Sequence, residues 1–353
     1  ILTNAHVERV TTSGDSANLC ATGVVVQTGD TRVTMTARRE VLLAAGSIGS
    51  PQILQSSGIG PRGLLETCAV SCVRDLPGVG ENLQDHLQIR MIYKVENTIT
   101  LNSRAGSLLG KARMGIEYFL FRTGPLTMPP SQLGAFAKSR SDLPMPDLEW
   151  HVQPLSLDKF GDDLHDFDAI TPSVCNLRPS SRGHVRIRSA NTQDAPAIAP
   201  NYLATAEDLD IAVEGIKYTR RIMRAQALAR FNPQEWKPGL DVASDEDLRK
   251  AAGDLGTTIF HPVGTCKMGS DNMAVVDDRL RVHGIAGLRV IDASIMPTIT
   301  SGNTNAPTVM IAEKGASFVL ADGCLLYTSP SPRDCNEYLV CRLLLEKVGG
   351  GGG

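Results

Sequence analysis

A short apolar strand that runs directly into a helix constrains the fold more than any other segment. Val41 to Ala45 reads VLLAA, a buried-strand pattern that Gly46 interrupts. Ser47 to Ser56 then has helical spacing, with Pro51 predicted in the first turn, where proline removes no helical hydrogen bond. A strand followed by a helix is typical of α/β sheets, whose strand-to-helix turns bind phosphates. The stretch LLAAGSIGS is therefore the predicted phosphate turn.

A literal G-x-G-x-x-G lies just beyond this helix, in SGIGPRG, at Gly58, Gly60 and Gly63. In a dinucleotide-binding turn this spacing must follow a strand and open a helix. Here it follows the end of a predicted helix, so Gly58 is predicted as the C-terminal cap and Pro61 as the start of the next turn. These glycines are not predicted to bind a cofactor.

The α/β pattern returns towards the C-terminal end of the sequence. Leu288 to Ile291 is predicted as a buried strand that ends at Asp292, and a long helix is predicted to start near Pro307. The carboxyl ends of strands in α/β sheets are where phosphates and cofactors bind. We therefore place a candidate binding edge at Asp292.

The segment between these two regions has a different pattern. LQIRMIYKV, DLEWHVQPL and GHVRIRS alternate between apolar and polar residues, as antiparallel strands do, and residues 208–230 have helical spacing. The predicted fold is an incomplete α/β Rossmann-like domain, formed by residues 1–84 and 257–322. Residues 85–256 are predicted to be inserted into it as an α+β substrate domain built on an antiparallel sheet.

Both ends of the sequence are unusual. The chain opens within an apolar strand pattern, ILTNAHVERV, and because a domain rarely starts inside a core strand we expect that an upstream portion is missing. Residues 323–353 contain a Ser-Pro cluster and end in five glycines. They are predicted to be a non-native or disordered tail.

The composition excludes several functional classes. A hydrophobic fraction of 42% and a charged fraction of 21% are those of an ordinary globular protein. The net charge of −3 predicts no affinity for nucleic acid. No apolar run approaches the roughly 18 residues that a transmembrane helix needs. The eight cysteines form no C-x-x-C pair, which favours a reducing compartment. We expect a cytoplasmic protein and leave peripheral membrane association open.

His261 is the residue with the clearest catalytic potential. It lies in TIFHPVGTCKMG, an irregular loop in which Pro262 follows it. A loop histidine is a natural proton acceptor, and a structural or surface histidine is the alternative. No second histidine or acid stands at ligand spacing, so no metal site is predicted. In ITSGNTNAPT, Asn303 and Asn305 are turn formers, or Asn303 donates a hydrogen bond to a substrate oxygen.

Several sequence blocks, in order, resemble the glucose-methanol-choline (GMC) oxidoreductase family. AAGSIGSPQILQSSGIGP resembles the second signature of that family. LPGVGENLQDHL, SSRGHVRIRS, PNYL, FHPVGTCKMG and RVHGIAGLRVIDASIMPTITSGNTNAPTVMIAEK resemble its successive blocks. Together they span residues 1–322. FHPVGTCKMG and the asparagine form of the last block are most similar to the choline dehydrogenase branch.

The resemblance implies FAD-dependent oxidation of an alcohol to an aldehyde or ketone, with hydride transfer to N5 of the flavin. His261 matches the family's base, which accepts the hydroxyl proton. Asn303 matches the second catalytic residue, which would hold the alcohol oxygen and stabilise the charge that develops there. The partners implied are a small alcohol and an electron acceptor, either a quinone or other carrier, or O2. The oligomeric state is left open.

The resemblance also assigns contacts to FAD. Val7 matches the strand residue whose backbone meets the adenine. Asp292 and Ala293 match the pair near the pyrophosphate and the ribityl chain, and the alternative for Asp292 is a cap of the turn that follows. The positions beside the isoalloxazine are matched by Phe260, Thr304 and Asn305.

The family's N-terminal G-x-G-x-x-G and its first signature are absent from these residues. The sequence therefore resembles the C-terminal part of a GMC enzyme, and we expect it to bind FAD poorly and to have little activity alone. An oxidase that uses O2, a lyase of the same family and a non-catalytic binding module are the alternatives. The substrate is a neutral alcohol or a cation such as choline, for which Glu149, Trp150 and Phe260 are candidate contacts.

Overall fold

Residues 1–129, 131–159 and 161–325 are described by the computed structural model of the chain, with side chains to residue 323. Helices and strands in these ranges follow each other in a mixed α and β order. The α-helices are α1 Gly46–Ser56, α2 Arg62–Thr67, α3 Leu101–Ala105, α4 Leu108–Phe121, α5 Ala206–Met223, α6 Asp245–Leu255 and α7 Asn305–Leu325. The strands are β1 His6–Ser13, β2 Cys20–Thr28, β3 Thr31–Thr36, β4 Val41–Leu43, β5 Ile59–Gly60, β6 Arg74–Asp75, β7 Leu87–Arg90, β8 Ile92–Lys94, β9 Leu133–Ala137, β10 Leu148–Gln153, β11 Ala169–Asn176, β12 His184–Arg186, β13 Ala197–Ala199, β14 Gln234–Lys237, β15 Gly256–Thr258 and β16 Leu288–Val290.

Helix α7 reaches into the predicted tail. It continues to Leu325, so residues 323–325 are helical, and the boundary predicted at residue 323 stays a prediction. The rest of the predicted tail, residues 326–353, lies outside the described residues.

Strands β4 and β16 form the parallel pair that the α/β pattern predicts. Leu288 lies opposite Val41 and Val290 lies opposite Leu43, so the two strands end at the same edge. Helix α1 follows β4, and a short 3-10 helix, Ala293–Ile295, follows β16. The two predicted strands and the helix between Gly46 and Ser56 are confirmed.

The position of Pro51 was predicted wrongly. Pro51 lies inside α1, in its second turn, where its missing N–H leaves the carbonyl of Ser47 without the usual helical donor. The hydroxyl of Thr265, far along the chain, donates to that carbonyl at 2.7 Å. A tertiary contact therefore replaces the hydrogen bond that the proline removes.

SGIGPRG has the structure predicted for it. Gly58 follows the end of α1 with φ of +77°, and its N–H donates to the carbonyl of Gln55 at 2.9 Å. A Cβ at this position would lie 2.3 Å from the carbonyl oxygen of Ser71, so the turn requires glycine. Pro61 then precedes helix α2. The three glycines form a helix end and a turn, and they do not form a cofactor fingerprint.

Strands β1, β2 and β3 form an antiparallel sheet in chain order. β1 begins at His6, so the expectation of a strand from Ile1 was wrong for the first five residues. Asn4 has φ of +54°, a left-handed conformation that interrupts extended backbone. Strand β3 pairs with β2 at the edge of this sheet, and Thr36 lies opposite Gly23.

The inserted segment forms a seven-stranded antiparallel sheet within the described ranges. Its main path runs β14-β8-β11-β10-β9, and β7 pairs with both β11 and β15. Along β10 the residues alternate between the two faces of the sheet. Leu148 and Trp150 pack into a core with Ile216 of α5, and Glu149 and His151 lie on the opposite face.

Trp150 is therefore a core residue, and its prediction as a substrate contact was wrong. The side chain is buried among apolar neighbours, and its indole N–H donates to the hydroxyl of Thr219 on α5 at 2.8 Å. A buried tryptophan normally needs such a partner for its N–H. The face that carries Trp150 is turned away from the polar residues of the same strand.

The buried apolar residues form two large clusters. Members of the first come from residues 10–79 and 263–311, around the parallel pair and α1. Members of the second come from residues 89–252, between the antiparallel sheet and helices α5 and α6. The predicted limits of the inserted domain stay predictions. Among the described helices, none is long and apolar enough to cross a membrane.

The contact between Thr265 and Ser47 leads to a stability prediction. Thr265→Val keeps the shape of the side chain and leaves the buried Ser47 carbonyl with no donor, so we expect a loss of about 1–3 kcal/mol in the free energy of unfolding. Chemical denaturation measures this loss. The control is Thr67→Val, which removes an exposed hydroxyl-to-carbonyl bond to Gly63 and should change stability by less than about 0.5 kcal/mol. Equal losses in the two variants would contradict the assignment.

Candidate active site

The loop that carries His261 is fixed to the structure on two sides. Its Val263 exchanges two backbone hydrogen bonds with Gln84, of 2.8 and 3.0 Å. The hydroxyl of Ser47 in α1 donates to the carbonyl of Pro262 at 2.6 Å. The backbone carbonyl of Pro262 therefore docks the loop onto the first turn of α1.

Gln84 connects the His261 loop to the loop that leads to Asn303. Its buried side-chain amide donates to the carbonyl of Pro297 at 3.1 Å and accepts the N–H of Ile299 at 3.1 Å. Asn82 donates to the same Pro297 carbonyl and also to that of Gly264, both at 3.2 Å. Two amide side chains thus hold the two candidate catalytic loops together.

Asp85 holds the backbone of His261 itself. One carboxylate oxygen accepts the N–H of His261 at 2.9 Å. The other accepts the hydroxyls of Tyr202 and Thr258, each at 2.5 Å. Asp85 is buried, and burial of the Tyr202 phenol next to this carboxylate raises the pKa of the phenol. Tyr202 therefore stays a hydrogen-bond donor.

His86 contacts the ring of His261 directly. The two Nδ1 atoms are 3.1 Å apart, and Nε2 of His86 lies 3.1 Å from the carbonyl oxygen of Leu177. Burial lowers the pKa of His86 to about 4, so this ring is uncharged at neutral pH. Burial also lowers the pKa of the half-buried His261, against the opposing charges of Asp85 and Glu149. Both imidazoles are therefore neutral under ordinary conditions.

A row of buried polar residues on the antiparallel sheet faces the same region. The charge of Glu149 raises the pKa of His261, and the charge of His151 lowers it. His151 lies opposite Ser173 in the neighbouring strand. One oxygen of Glu149 is 3.3 Å from Nε2 of His151, and the other is buried without a partner in the described structure. Ser173 Oγ and Gln153 Oε1 are also buried and have no hydrogen-bond partner in the described structure. Such atoms are costly unless a ligand or water pairs with them.

Asn303 and the predicted isoalloxazine contacts lie on the exposed side of the site. Asn303 is exposed in the loop before α7, and no hydrogen bond joins its side chain to that of His261. Phe260 is 67% exposed with φ of +65°, a strained conformation for a bulky residue. Thr304 is buried and Asn305 opens α7. Asn303, Asn305 and Phe260 are thus exposed, and Thr304 is buried.

The carboxylate of Asp292 is hydrogen-bonded within the protein. Its Oδ2 accepts the hydroxyl of Ser50 at 2.6 Å and the N–H of Gly46 at 3.0 Å, and its Oδ1 accepts the N–H of Ser294 at 2.8 Å. The carboxylate thus stands where a phosphate was expected, and a second anion would be repelled. The prediction of a phosphate turn at LLAAGSIGS was wrong. Asp292 caps the turn that follows it, and Ala293 accepts the N–H of Gly264 at 3.4 Å.

Val7 lines an open cleft of about 340 Å³ between β1 and α1, next to Ala45 and Gly49 at the carboxyl end of β4. A second cleft of about 440 Å³ shares Val7 and Ala45 and reaches Leu42, whose side chain is 47% exposed. Parallel sheets normally have both faces covered. An open, largely apolar cleft at the end of a parallel strand fits a flat aromatic group such as adenine.

Sequence reasoning gave no role to Asp85, His86 or Tyr202. The first two lie in the block LPGVGENLQDHL and the third in PNYL, which were noted as blocks only. A buried Asp-His pair directly before an alternating strand is a signal that could have drawn attention to them. Their partners at positions 258–261 are too distant in sequence to be inferred from spacing.

Comparisons with known proteins identify the family of the chain. Two family models described as GMC oxidoreductase match residues 1–88 and 179–312, which together are more than half of the chain. The oxygen-dependent choline dehydrogenase of Burkholderia vietnamiensis is 42% identical over 314 residues, which are 89% of this chain and 55% of that protein. The chain thus spans about half the length of the curated relatives it matches.

Solved structures have the same fold. The pyridoxine 4-oxidase from Mesorbium loti matches with a TM-score of 0.76 and 27% identity, over 89% of this chain and 56% of the other. A formate oxidase of Aspergillus oryzae, solved to follow the effect of a mutation on FAD modification, matches with a TM-score of 0.83 and 25% identity, over 92% and 61%. The sequence blocks, the matched family models and these structures agree: the chain belongs to the GMC oxidoreductase family.

Proposed function

We propose that this chain carries the substrate domain and the catalytic loops of an FAD-dependent alcohol oxidoreductase, with His261 as the base. One observation carries the proposal. His261 is a half-buried, neutral histidine on a loop fixed by Gln84, Asp85 and α1, and it faces a polar wall of the substrate sheet. A neutral imidazole in that position can accept the proton of a substrate hydroxyl.

The residues around His261 have distinct tasks in this proposal. Asp85 holds the backbone of His261 in place through the hydrogen bond to its N–H. Asn303 would donate a hydrogen bond to the alcohol oxygen as negative charge develops there. FAD, when bound, supplies the hydride acceptor. The product would be an aldehyde or a ketone.

The FAD site would follow the clefts and loops already described. The adenine would lie in the cleft at Val7 and Ala45, which has the size and the apolar lining for it. Because the carboxylate of Asp292 is engaged internally, Asp292 and Ala293 would contact the cofactor through their backbone. The isoalloxazine would lie beside the exposed side chains of Phe260 and Asn305 and the backbone of the buried Thr304.

We propose an alcohol with a cationic group, such as choline, as the substrate. The unpartnered buried oxygen of Glu149 supports this, because a carboxylate in that position is satisfied by a cation. The names of the curated relatives support it as well. O2 is the electron acceptor that those names favour, and a quinone or another carrier is the alternative. Peroxide release compared with dye reduction separates the two.

FAD binding by the chain alone is the first test. The exposed surface at Phe260 and the open cleft at Val7 leave the cofactor covered on one side only, so we expect the purified chain to be colourless. The visible absorbance spectrum measures this. The control is the chain completed with the N-terminal region of the Burkholderia vietnamiensis relative, which should be yellow. A stoichiometric yellow flavin in the chain alone would contradict the expectation.

Replacing the base is the second test. In the completed protein, His261→Ala should lower kcat/KM for the alcohol by about 10²–10⁴-fold, because the hydroxyl proton loses its acceptor. Steady-state dye reduction measures this. His184→Ala, which alters a histidine of the small β12–β13 pair, is the control and should be unaffected. Full activity of the His261 variant would mean that the chain is a binding module or uses another base.

Replacing Glu149 tests the substrate class. Glu149→Gln keeps the size of the side chain and removes its charge, so KM for choline should rise by about 10–100-fold, the worth of one charge-assisted contact. KM for a neutral alcohol of similar size should change little, and it is the internal control. An equal effect on the two alcohols would rule out a cation contact at Glu149.

A further inference from the structure

We propose that His86 is a positioning residue that sets the tautomer of His261, so that the ring proton resides on Nδ1 and the lone pair on Nε2. Nε2 is then the atom that accepts the substrate proton. This inference rests on the proposed role of His261 as the base and deepens it, because it names the reacting atom.

The first step concerns the proton on His86. Its Nε2 lies 3.1 Å from the carbonyl oxygen of Leu177, and a carbonyl oxygen can only accept a hydrogen bond. Nε2 of His86 therefore carries the proton. His86 is fully buried and its pKa is lowered to about 4, so the ring has no second proton at neutral pH. Its Nδ1 is left as an acceptor.

The second step concerns the proton on the ring of His261. The Nδ1 atoms of the two rings are 3.1 Å apart, and the rings are nearly perpendicular, at 82°. A hydrogen bond between two nitrogens needs one proton, and His86 has none to offer there. Nδ1 of His261 must therefore be the donor, and its Nε2 must carry the lone pair. A neutral histidine in water prefers the opposite tautomer.

The other groups near His261 do not compete for this assignment. Asp85 uses its oxygens on the His261 backbone N–H and on two hydroxyls. Glu149 and His151, on the sheet, act on His261 through charge and make no hydrogen bond to its ring in the described structure. When His261 gains a proton on Nε2, its Nδ1–H still donates to His86. The same contact thus serves both charge states.

Adjacent residues control two different parts of His261. Asp85 holds its backbone N–H and His86 holds its ring, so one short segment before β7 sets both the position and the chemistry of the base. An apolar side chain at position 86 could fill the same space without a buried hydrogen-bond chain. The hydrogen bonds of His86 therefore indicate a role beyond packing.

The test is the tautomer of His261, measured by long-range 1H–15N NMR on the full chain labelled with ring-15N histidine. The signals of His261 are identified as those missing in His261→Gln. We expect an Nδ1–H tautomer in the unaltered chain, without any flavin. In His86→Leu the acceptor is lost and His261 should shift to Nε2–H, whereas His86→Asn, whose side-chain oxygen can stand near the former Nδ1, should retain Nδ1–H.

Two results would overturn the inference: an Nε2–H tautomer in the unaltered chain, or an unchanged tautomer in His86→Leu. The first needs no variant, so misfolding of a variant cannot hide it. In the completed protein, His86→Leu should lower kcat by about 10–100-fold with little change in KM, as loss of an orienting partner does. Full activity of His261→Ala would instead overturn the proposed function and leave the tautomer measurement standing.

Discussion

The buried carboxylate of Asp85 is the contact on which the candidate site depends. It accepts one N–H and two hydroxyls from segments that are far apart in the sequence, and it has no exposed position to which it could relax. A carboxylate buried with three donors is stable only while all three are present. The His261 loop, strand β15 and the PNYL segment are therefore held in one arrangement by a single side chain.

The two faces of the antiparallel sheet have different roles in the candidate site. On one face Trp150 and its apolar neighbours pack on α5 and give the sheet a rigid support. On the other face Glu149, Gln153 and Ser173 keep polar atoms buried without partners. Packing on one face makes the sheet rigid, so the polar atoms on the other face keep fixed positions. A site that binds a small polar molecule needs polar groups in fixed positions.

Local patterns in the sequence were sufficient for the elements with clear periodicity, whereas strands β2 and β11 and helix α6 were not predicted. The strand and helix from Val41 to Ser56, the cap at Gly58 and the strand before Asp292 follow from periodicity and turn chemistry, which act within a few residues. For the same reason, contacts between residues that are far apart in the sequence could not be predicted from it. Pro51 in a second helical turn is acceptable only because Thr265 donates to Ser47, and no local rule contains that partner.

The candidate site was predictable only in part. His261 and Asn303 came from motifs, but the roles of Asp85 and His86 depend on the backbone N–H and the ring of His261, more than 170 positions away. Asp292 had two predicted uses, a ligand contact or a cap of the turn that follows the strand. Its carboxylate makes the cap, and its contact with the cofactor stays a prediction.

The hydroxyl of Thr265 also limits which loops could replace the His261 loop of this chain. Helix α1 and the His261 loop are separated by 218 positions, yet the helix lacks one donor that the loop supplies. A loop grafted from another family member would have to bring a hydroxyl at this position, or α1 would lose its proline. The two segments are in this sense a single exchangeable unit, although the sequence presents them as two.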